Sequence, residues 1–256
     1  MPNTFAERRQ MRGIIAVALL ATMLGAAATP ARAQDSSSAE PPPTPAPRMP
    51  DGKPDLSGVW NKSITVNSAR DVPAPYTEYG LARFTAAKGL VDPQGRCIFP
   101  GVPRIMNLPY PFEIVQLPDR IIFLYEALHN FRVIHTDGRA HGEDLVPALM
   151  GHSVGRWEDD TLIIETIGLT DRTWLDDFGN QHSAQTRVTE RYGRPDRETL
   201  VFDYTLEDPL MYTEPWTVPE RRIPLAPADW ELMEYACTDN NKVVEDGLLG
   251  PGGVPQ

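Results

Sequence analysis

Positive charge, cysteine and long apolar runs are all scarce in this chain of 256 residues. Lysine and arginine total 24 against 35 aspartates and glutamates, a formal net charge of -11. A surface so weighted repels phosphate backbones and anionic headgroups, so neither nucleic acid nor a membrane surface is expected as a partner. The one long apolar run, GIIAVALLATMLGAAA from Gly13 to Ala28, is about sixteen residues, short of the ~20 that span a bilayer. Its basic flank (Arg8, Arg9, Arg12) and the Ala31-Arg32-Ala33 site predict a secretory signal peptide over residues 1–33 and a periplasmic, soluble mature protein. Cleavage there removes four arginines and one glutamate, which moves the formal charge from -11 to -14.

Chemical signatures are missing too. There is no Gly-x-Ser-x-Gly nucleophile elbow and no phosphate-binding glycine loop, which argues against serine-nucleophile and nucleotide-dependent chemistry. No compact metal motif occurs either, because the H-x5-H of His135 and His141 has the wrong spacing and no cysteine nearby. The expectation is therefore a protein without metal or cofactor. The two cysteines, Cys97 and Cys237, form an even count in an oxidising compartment and predict a bridge. On the chain-entropy model, closing that 140-residue loop contributes roughly 4–5 kcal/mol; two separate buried thiols are the alternative.

What is present is alternation. Residues 34–53, rich in Ser, Pro and Ala, predict an extended linker, and 247–256 a flexible tail. Between them, over 54–246, apolar residues recur mostly with period two. FEIVQLPDRIIFLYEA predicts a hairpin turning at Pro118-Asp119, SVGRWEDDTLIIETIG one turning at Glu158-Asp159-Asp160, and TRVTERYGRPDRETLVFDYTLEDP one turning at Arg194-Pro195-Asp196. DLSGVWNKS and WELMEYAC add a first and a last strand. Two stretches read as helical: PYTEYGLARFTAAK, with Thr77 as N-cap, and a single turn in LTDRTWLDDFG. The fold class expected is all-β, an antiparallel meander closing into a lipocalin-like β-barrel with one or two short helices. Gly58-x-Trp60 on the opening strand resembles the lipocalin signature, whose tryptophan plugs one barrel end.

Alternation also assigns faces. On the strand through FRVIH, Arg132 and Ile134 oppose Phe131, Val133 and His135, so either the arginine or the histidine points inward. Glu190 shares a face with Thr186, Val188 and Tyr192, and Glu126 adjoins Leu124. A carboxylate among apolar groups is paired, protonated or functional, with Arg132 or Arg191 as the available partner for Glu190. In RVIHTDGRAH, Asp137-Gly138 predicts a tight hairpin turn at the barrel rim, flanked by His135 and His141. The connection TDRTWLDDFGNQHS carries Trp174, Asp176 and His182, and connections of that length often bind ligands.

The words PDGKPDLSGVW, RCIFPGVPR, PYPFEIVQLPDRIIFLYE, RVIHTDGRAH, GHSVGRWEDDTLIIET, TWLDDFGNQHS, TERYGRPDRETLVFDYTLEDP and YTEPWT together resemble an exported bacterial β-rich family to which no activity is assigned. Its members read Trp-Glu-Gly-Asp where this chain has Trp157-Glu158-Asp159-Asp160. The resemblance implies a shared polar set: Arg132, Asp137, Arg139, His141, Trp174, Asp176, His182 and Glu190.

The function expected is cofactor-free acid–base catalysis, of lyase, isomerase or hydrolase type, on a small apolar or aromatic molecule inside the barrel. His182 is the expected base or acid, oriented by Asp176. Arg132 or Arg139 stabilises negative charge, Glu190 and His141 are further acid–base candidates, and Tyr125, Trp174 and His135 line the ligand site. The competing expectation is a non-catalytic binding protein using the same pocket.

Overall fold

A computed structural model describes residues 42–62, 72–239 and 241. The expected signal peptide and C-terminal tail lie outside those residues. Nine strands follow in chain order around one sheet: β1 (Gly58–Trp60), β2 (Phe112–Gln116), β3 (Arg120–Tyr125), β4 (Asn130–His135), β5 (His152–Glu158), β6 (Thr161–Ile167), β7 (Arg187–Asp196), β8 (Thr199–Glu207) and β9 (Trp216–Pro224). The sheet curls until β1 and β9 nearly close it. Asn61 N–H donates to the Pro224 carbonyl at 3.0 Å and Ala226 N–H to the Val59 carbonyl at 2.8 Å.

Neighbours pair antiparallel except β4 and β5, which run parallel at Ile134↔Ser153 and His135↔Val154. A ring of strands needs an even number of antiparallel junctions, so a nine-stranded ring requires one such parallel pair. RVIHTDGRAH is therefore not a hairpin. Gly138 does take φ +84° in its turn, but residues 136–151 then return along the strands instead of pairing across the turn.

The alternation predicted from the sequence is the alternation observed. Strands β2, β3, β7 and β8 bury every second residue, filling the interior with Phe112, Ile114, Ile121, Phe123, Tyr192, Leu200 and Phe202. Phe123 meets Tyr192 edge-on at 5.3 Å and Tyr192 stacks on Phe202 at 5.8 Å, contacts worth about 0.5–1.5 kcal/mol each beyond the area they bury. Trp60 is wholly buried, with the Arg194 guanidinium over its ring at 4.9 Å.

Four further expectations of the sequence are corrected. The strand expected at WELMEYAC is irregular, and the last strand is β9. Residues 169–179 form turns, not a helical turn, pinned by a bridge between Trp174 and Gln181. Strand β7 runs on through Pro195, at a register shift between Gly193 and Asp196, so its hairpin turns at Arg197-Glu198. The proline-rich stretch, expected as an extended linker over 34–53, is held against the barrel from Thr44 onward: Arg197 N–H donates to Thr44 O at 2.8 Å and Asp55 N–H to Pro47 O at 2.9 Å.

The one described α-helix, α1 (Glu78–Ala87), starts where Thr77 Oγ1 accepts from Gly80 N–H at 2.9 Å. Gly80 is required there, because a Cβ would run into the Met211 carbonyl. This contact seats α1 against the β8–β9 connection. The Cys97–Cys237 disulfide is formed, tying the β1–β2 connection to the C-terminal run.

Candidate active site at the long-loop end

The strands place their tight turns (β2–β3, β5–β6, β7–β8) at one end and their long connections (72–111 of the β1–β2 connection, 168–186, 208–215) at the other. Four segments at the long-loop end enclose an open cavity of about 410 Å³. The β1–β2 connection supplies two short 3-10 turns, Pro93–Arg96 and Arg104–Asn107. They are locked together by Asp92, which accepts from Gln94 N–H at 2.9 Å and from both terminal nitrogens of Arg104 at 2.9 and 2.5 Å. Leu128, at φ +57°, comes from the β3–β4 connection. Leu175, Asp176 and Asp177 come from the β6–β7 connection, and Tyr235 and Cys237 from the C-terminal run. That run is held by the disulfide, by Met233 N–H donating to the Glu126 carboxylate and by Tyr235 N–H donating to His129 Nε2, both at 2.9 Å.

Asp176 is the buried acid of this cavity, 4% exposed. One oxygen accepts from the N–H groups of Phe178 and Asn180 at 3.0 and 3.2 Å, the other from Asn180 Nδ2 at 2.6 Å. Burial nevertheless dominates and holds its pKa above the usual carboxylate value. Asp176 does not orient His182, as the sequence had suggested.

His182 is itself buried, 2% exposed. Its Nδ1 lies 3.2 Å from the Ser183 carbonyl, which can only accept, so Nδ1 carries the proton and Nε2 accepts from the Thr173 hydroxyl at 2.9 Å. With both nitrogens engaged and burial lowering its pKa, it pins the connection as a neutral ring. One side borders a smaller hollow of about 210 Å³ with Tyr79, Arg83 and Met211.

The remaining residues singled out from the sequence lie elsewhere. Arg132, not His135, points inward, and it pairs with Glu190 at 2.5 Å, the two being 3% and 0% exposed. Arg132 also donates to Thr166 Oγ1 at 2.6 Å and Ser153 Oγ at 2.9 Å, while Tyr192 donates to Glu190 at 2.8 Å. Burial disfavours the guanidinium, but Glu190 together with Tyr125 and Tyr192 outweighs burial and raises its pKa. Tyr125 borders this charge group inside the barrel, its pKa raised by burial. The pair is thus an internal ion pair and does not line the cavity.

His141 lies at the β5–β6 wall, its Nδ1 2.8 Å from Nδ1 of His152 and its Nε2 3.2 Å from Glu165, with His135 stacked on His152 at 5.9 Å. Arg139 is engaged by Asp137 at 2.5 Å on an exposed loop, and that contact pulls the Asp137 carboxyl down to about 2. Trp174 is half-buried beside the Asp176 turn without lining the cavity. His182, His141 and the Arg132–Glu190 pair therefore have separate surroundings, and Asp176 alone of the expected catalytic residues lines the cavity. Among the described residues, no group of three or more His, Cys, Asp or Glu side chains is arranged to hold a metal ion.

Sequence reasoning missed Asp92, Arg104, Asn107 and Gln94, whose partners come from distant segments. It also missed Asp208, which accepts from Ser183 N–H, Ser183 Oγ and Thr186 Oγ1 at 2.6, 2.9 and 2.5 Å. Lys62, 5% exposed, donates to the Ile105 carbonyl at 3.1 Å and lies over the Phe112 ring, and burial pushes its pKa down to about 7. A signal was available for Asn107, a lone polar residue in the run IMNLP. No family model, curated protein or solved structure matches this chain.

Proposed function

We propose that the protein is an exported enzyme that performs acid–base chemistry on a small, largely apolar or aromatic molecule held in the cavity at the long-loop end. In this reading Asp176 holds and transfers the proton. One observation carries it: a buried carboxyl with a raised pKa lines a concavity of small-molecule size. Leu108, Leu128 and Leu175 offer the substrate apolar contact, and the N–H groups of Phe178 and Asn180 fix the carboxyl so that its geometry is set before binding. The reaction is of lyase, isomerase or hydrolase type.

A second reading, a non-catalytic carrier using the same cavity, is favoured by the three N–H donors already on Asp176, which would suit a carboxylate that only staples its turn. Incubating wild type and Asp176→Asn with a mixture of small aromatic acids, esters and alcohols, followed by mass spectrometry, separates the two. The enzyme reading expects depletion of a compound by wild type alone, with the compound still retained by the variant in native mass spectra. Equal depletion by both proteins removes Asp176 from the chemistry. Retention without depletion by either establishes the carrier.

A further inference from the structure

The turn that presents Asp176 is braced by a segment from far earlier in the chain. Asn180 is wholly buried, and its backbone is fixed on both sides: its N–H donates to Asp176 Oδ1 at 3.2 Å and its carbonyl accepts from Leu175 N–H at 2.7 Å. Its side-chain nitrogen donates to Asp176 Oδ2 at 2.6 Å, while its side-chain oxygen accepts from the hydroxyl of Tyr76. Tyr76 is itself firmly mounted just ahead of α1. It forms a bridge with Tyr212, and its ring stacks on Phe84 at 5.2 Å. Its neighbours are held too, Thr77 N–H donating to the Met211 carbonyl at 2.9 Å and Thr213 N–H to the Pro75 carbonyl at 2.8 Å. Tyr76 does not line the cavity, so its route to Asp176 runs through the Asn180 amide.

An amide has a donor side and an acceptor side, so the way Asn180 faces depends on both of its neighbours. A carboxylate only accepts and meets the nitrogen, whereas a protonated carboxyl donates and meets the oxygen. The Tyr76 hydroxyl decides between the two. By donating to Oδ1 it keeps the nitrogen turned towards Asp176, and it polarises the amide so that this N–H donates more strongly. We infer that Tyr76 is a positioning residue for the acid of the cavity: acting through Asn180, its hydroxyl locks the amide with its donor side on Asp176 and so limits how firmly that carboxyl holds a proton. Burial pushes Asp176 towards the protonated form and this lock pushes it back, a balance that suits an acid which must both keep and release its proton. The other ionisable groups about Asp176 do not take over that task. Arg104, from the β1–β2 connection, favours the carboxylate but is engaged by Asp92, and Asp177 lines the same cavity. Burial holds the hydroxyls of Tyr76 and Tyr212 above the ordinary phenol value, with Asp176 adding to the effect, so both stay protonated. The role assigned to Tyr76 rests on the reading of Asp176 as the acid of this cavity and adds what tunes it.

The test follows the Asp176 proton itself and needs no substrate: carboxyl-carbon NMR of the protein labelled at its aspartates, titrated with pH, the Asp176 signal being the one lost in Asp176→Asn. Wild type is expected to titrate Asp176 above the ordinary carboxylate value. Tyr76→Phe should move that midpoint up by about one pH unit, the scale of a single hydrogen bond. Phenylalanine keeps the ring contacts with Phe84 and Tyr212, so the variant should stay folded, which a thermal melt checks. In wild type the side-chain amide signals of Asn180 should follow the Asp176 midpoint, a readout that holds even if the variant fails to fold. A midpoint unmoved or lowered in Tyr76→Phe, whatever the melting temperature does, makes the hydroxyl a structural brace and overturns the inference while the acid reading stands. Asn180 amide signals indifferent to pH through the Asp176 midpoint overturn it as well. A wild-type midpoint at or below the ordinary carboxylate value removes Asp176 as the acid, and the role of Tyr76 falls with it.

Discussion

The two ends of the barrel solve the same problem in opposite ways. At the hairpin end the turns are short, so nearly all backbone groups remain in the strand ladders and charged side chains are left on the surface, as Arg48 with Asp160 illustrates. At the long-loop end, residues leave the ladder for long stretches and fold inward. Their buried N–H groups must find partners, and buried or half-buried carboxylates supply them. Asp208 holds 183–186 and Met211, Asp176 holds 178–180, and Asp92 holds Gln94 and Arg104. A buried carboxylate there is first of all the price of an irregular backbone. Only where it also borders open volume, as Asp176 does, does a catalytic reading gain ground.

The wall between the ends gives the largest expected effect. Glu190→Ala leaves the Arg132 guanidinium charged and buried, and should lower unfolding free energy by about 3–5 kcal/mol in urea titration. Replacing both partners with apolar residues, as Arg132→Met with Glu190→Leu, should recover most of that loss. If the single variant is nearly neutral, the pair is not the closed internal unit described above.

At the long-loop end, Asp208→Ala removes acceptors from Ser183, Thr186 and Met211 together and should cost about 2–3 kcal/mol. Proteolysis should then begin within 168–186 or 208–215, while the hairpins stay protected. Cleavage at 117–119 or 197–198 first would erase the contrast between the ends.

Lys62, where the chain leaves β1 for the long connection, sharpens the contrast with pH. Its folded pKa near 7 lies below the ordinary 10.5, so between those values the unfolded chain binds the extra proton and stability rises with pH; below 7 the penalty is complete. Lys62→Met should therefore stabilise by about 1–2 kcal/mol at pH 6 and progressively less as the pH climbs towards 10. A gain independent of pH in thermal melts would mean that the ammonium is not desolvated.

How much of this was legible in the sequence follows the same division. The hairpins were, because alternation is a local property: Ile121, Phe123 and Tyr125 face the core wherever the barrel begins or ends. Strand β9 was hidden by Pro219, Glu220, Arg221 and Arg222. Pro219 is tolerated because the β8–β9 register shifts between Phe202 and Tyr204, leaving it outside the paired positions. The parallel β4–β5 junction was unreadable from Asp137-Gly138, since a turn fixes the local reversal and not what the returning chain pairs with. The sequence shows Asp176 and His182 as polar residues of one connection, but not their partners, Asn180 and Thr173, which depend on how that connection coils. Arg104 closes the word RCIFPGVPR and Asn107 is the lone polar residue of IMNLP, but neither word shows the burial by segments far along the chain that makes them part of the site.

The smallest expected effect tests the quiet end. Arg48 reaches both carboxylate oxygens of Asp160, at 2.8 and 2.7 Å, and it also donates to the Gly52 carbonyl at 2.7 Å, geometry as good as any in the molecule. Yet the side chains are 50% and 60% exposed, so water and salt screen the attraction, and ordering two long chains offsets what remains. Arg48→Ala should leave the melting temperature unchanged within error at physiological salt. The strap from Thr44 to Pro54 should stay in place, because it is also held by backbone bonds from Arg197 to Thr44 and from Asp55 to Pro47. Hydrogen exchange at Asp55 and Arg197 reads this directly. Rapid exchange at both amides in the variant would mean that one exposed ion pair organises the hairpin end, and the two ends would then depend alike on single charged contacts.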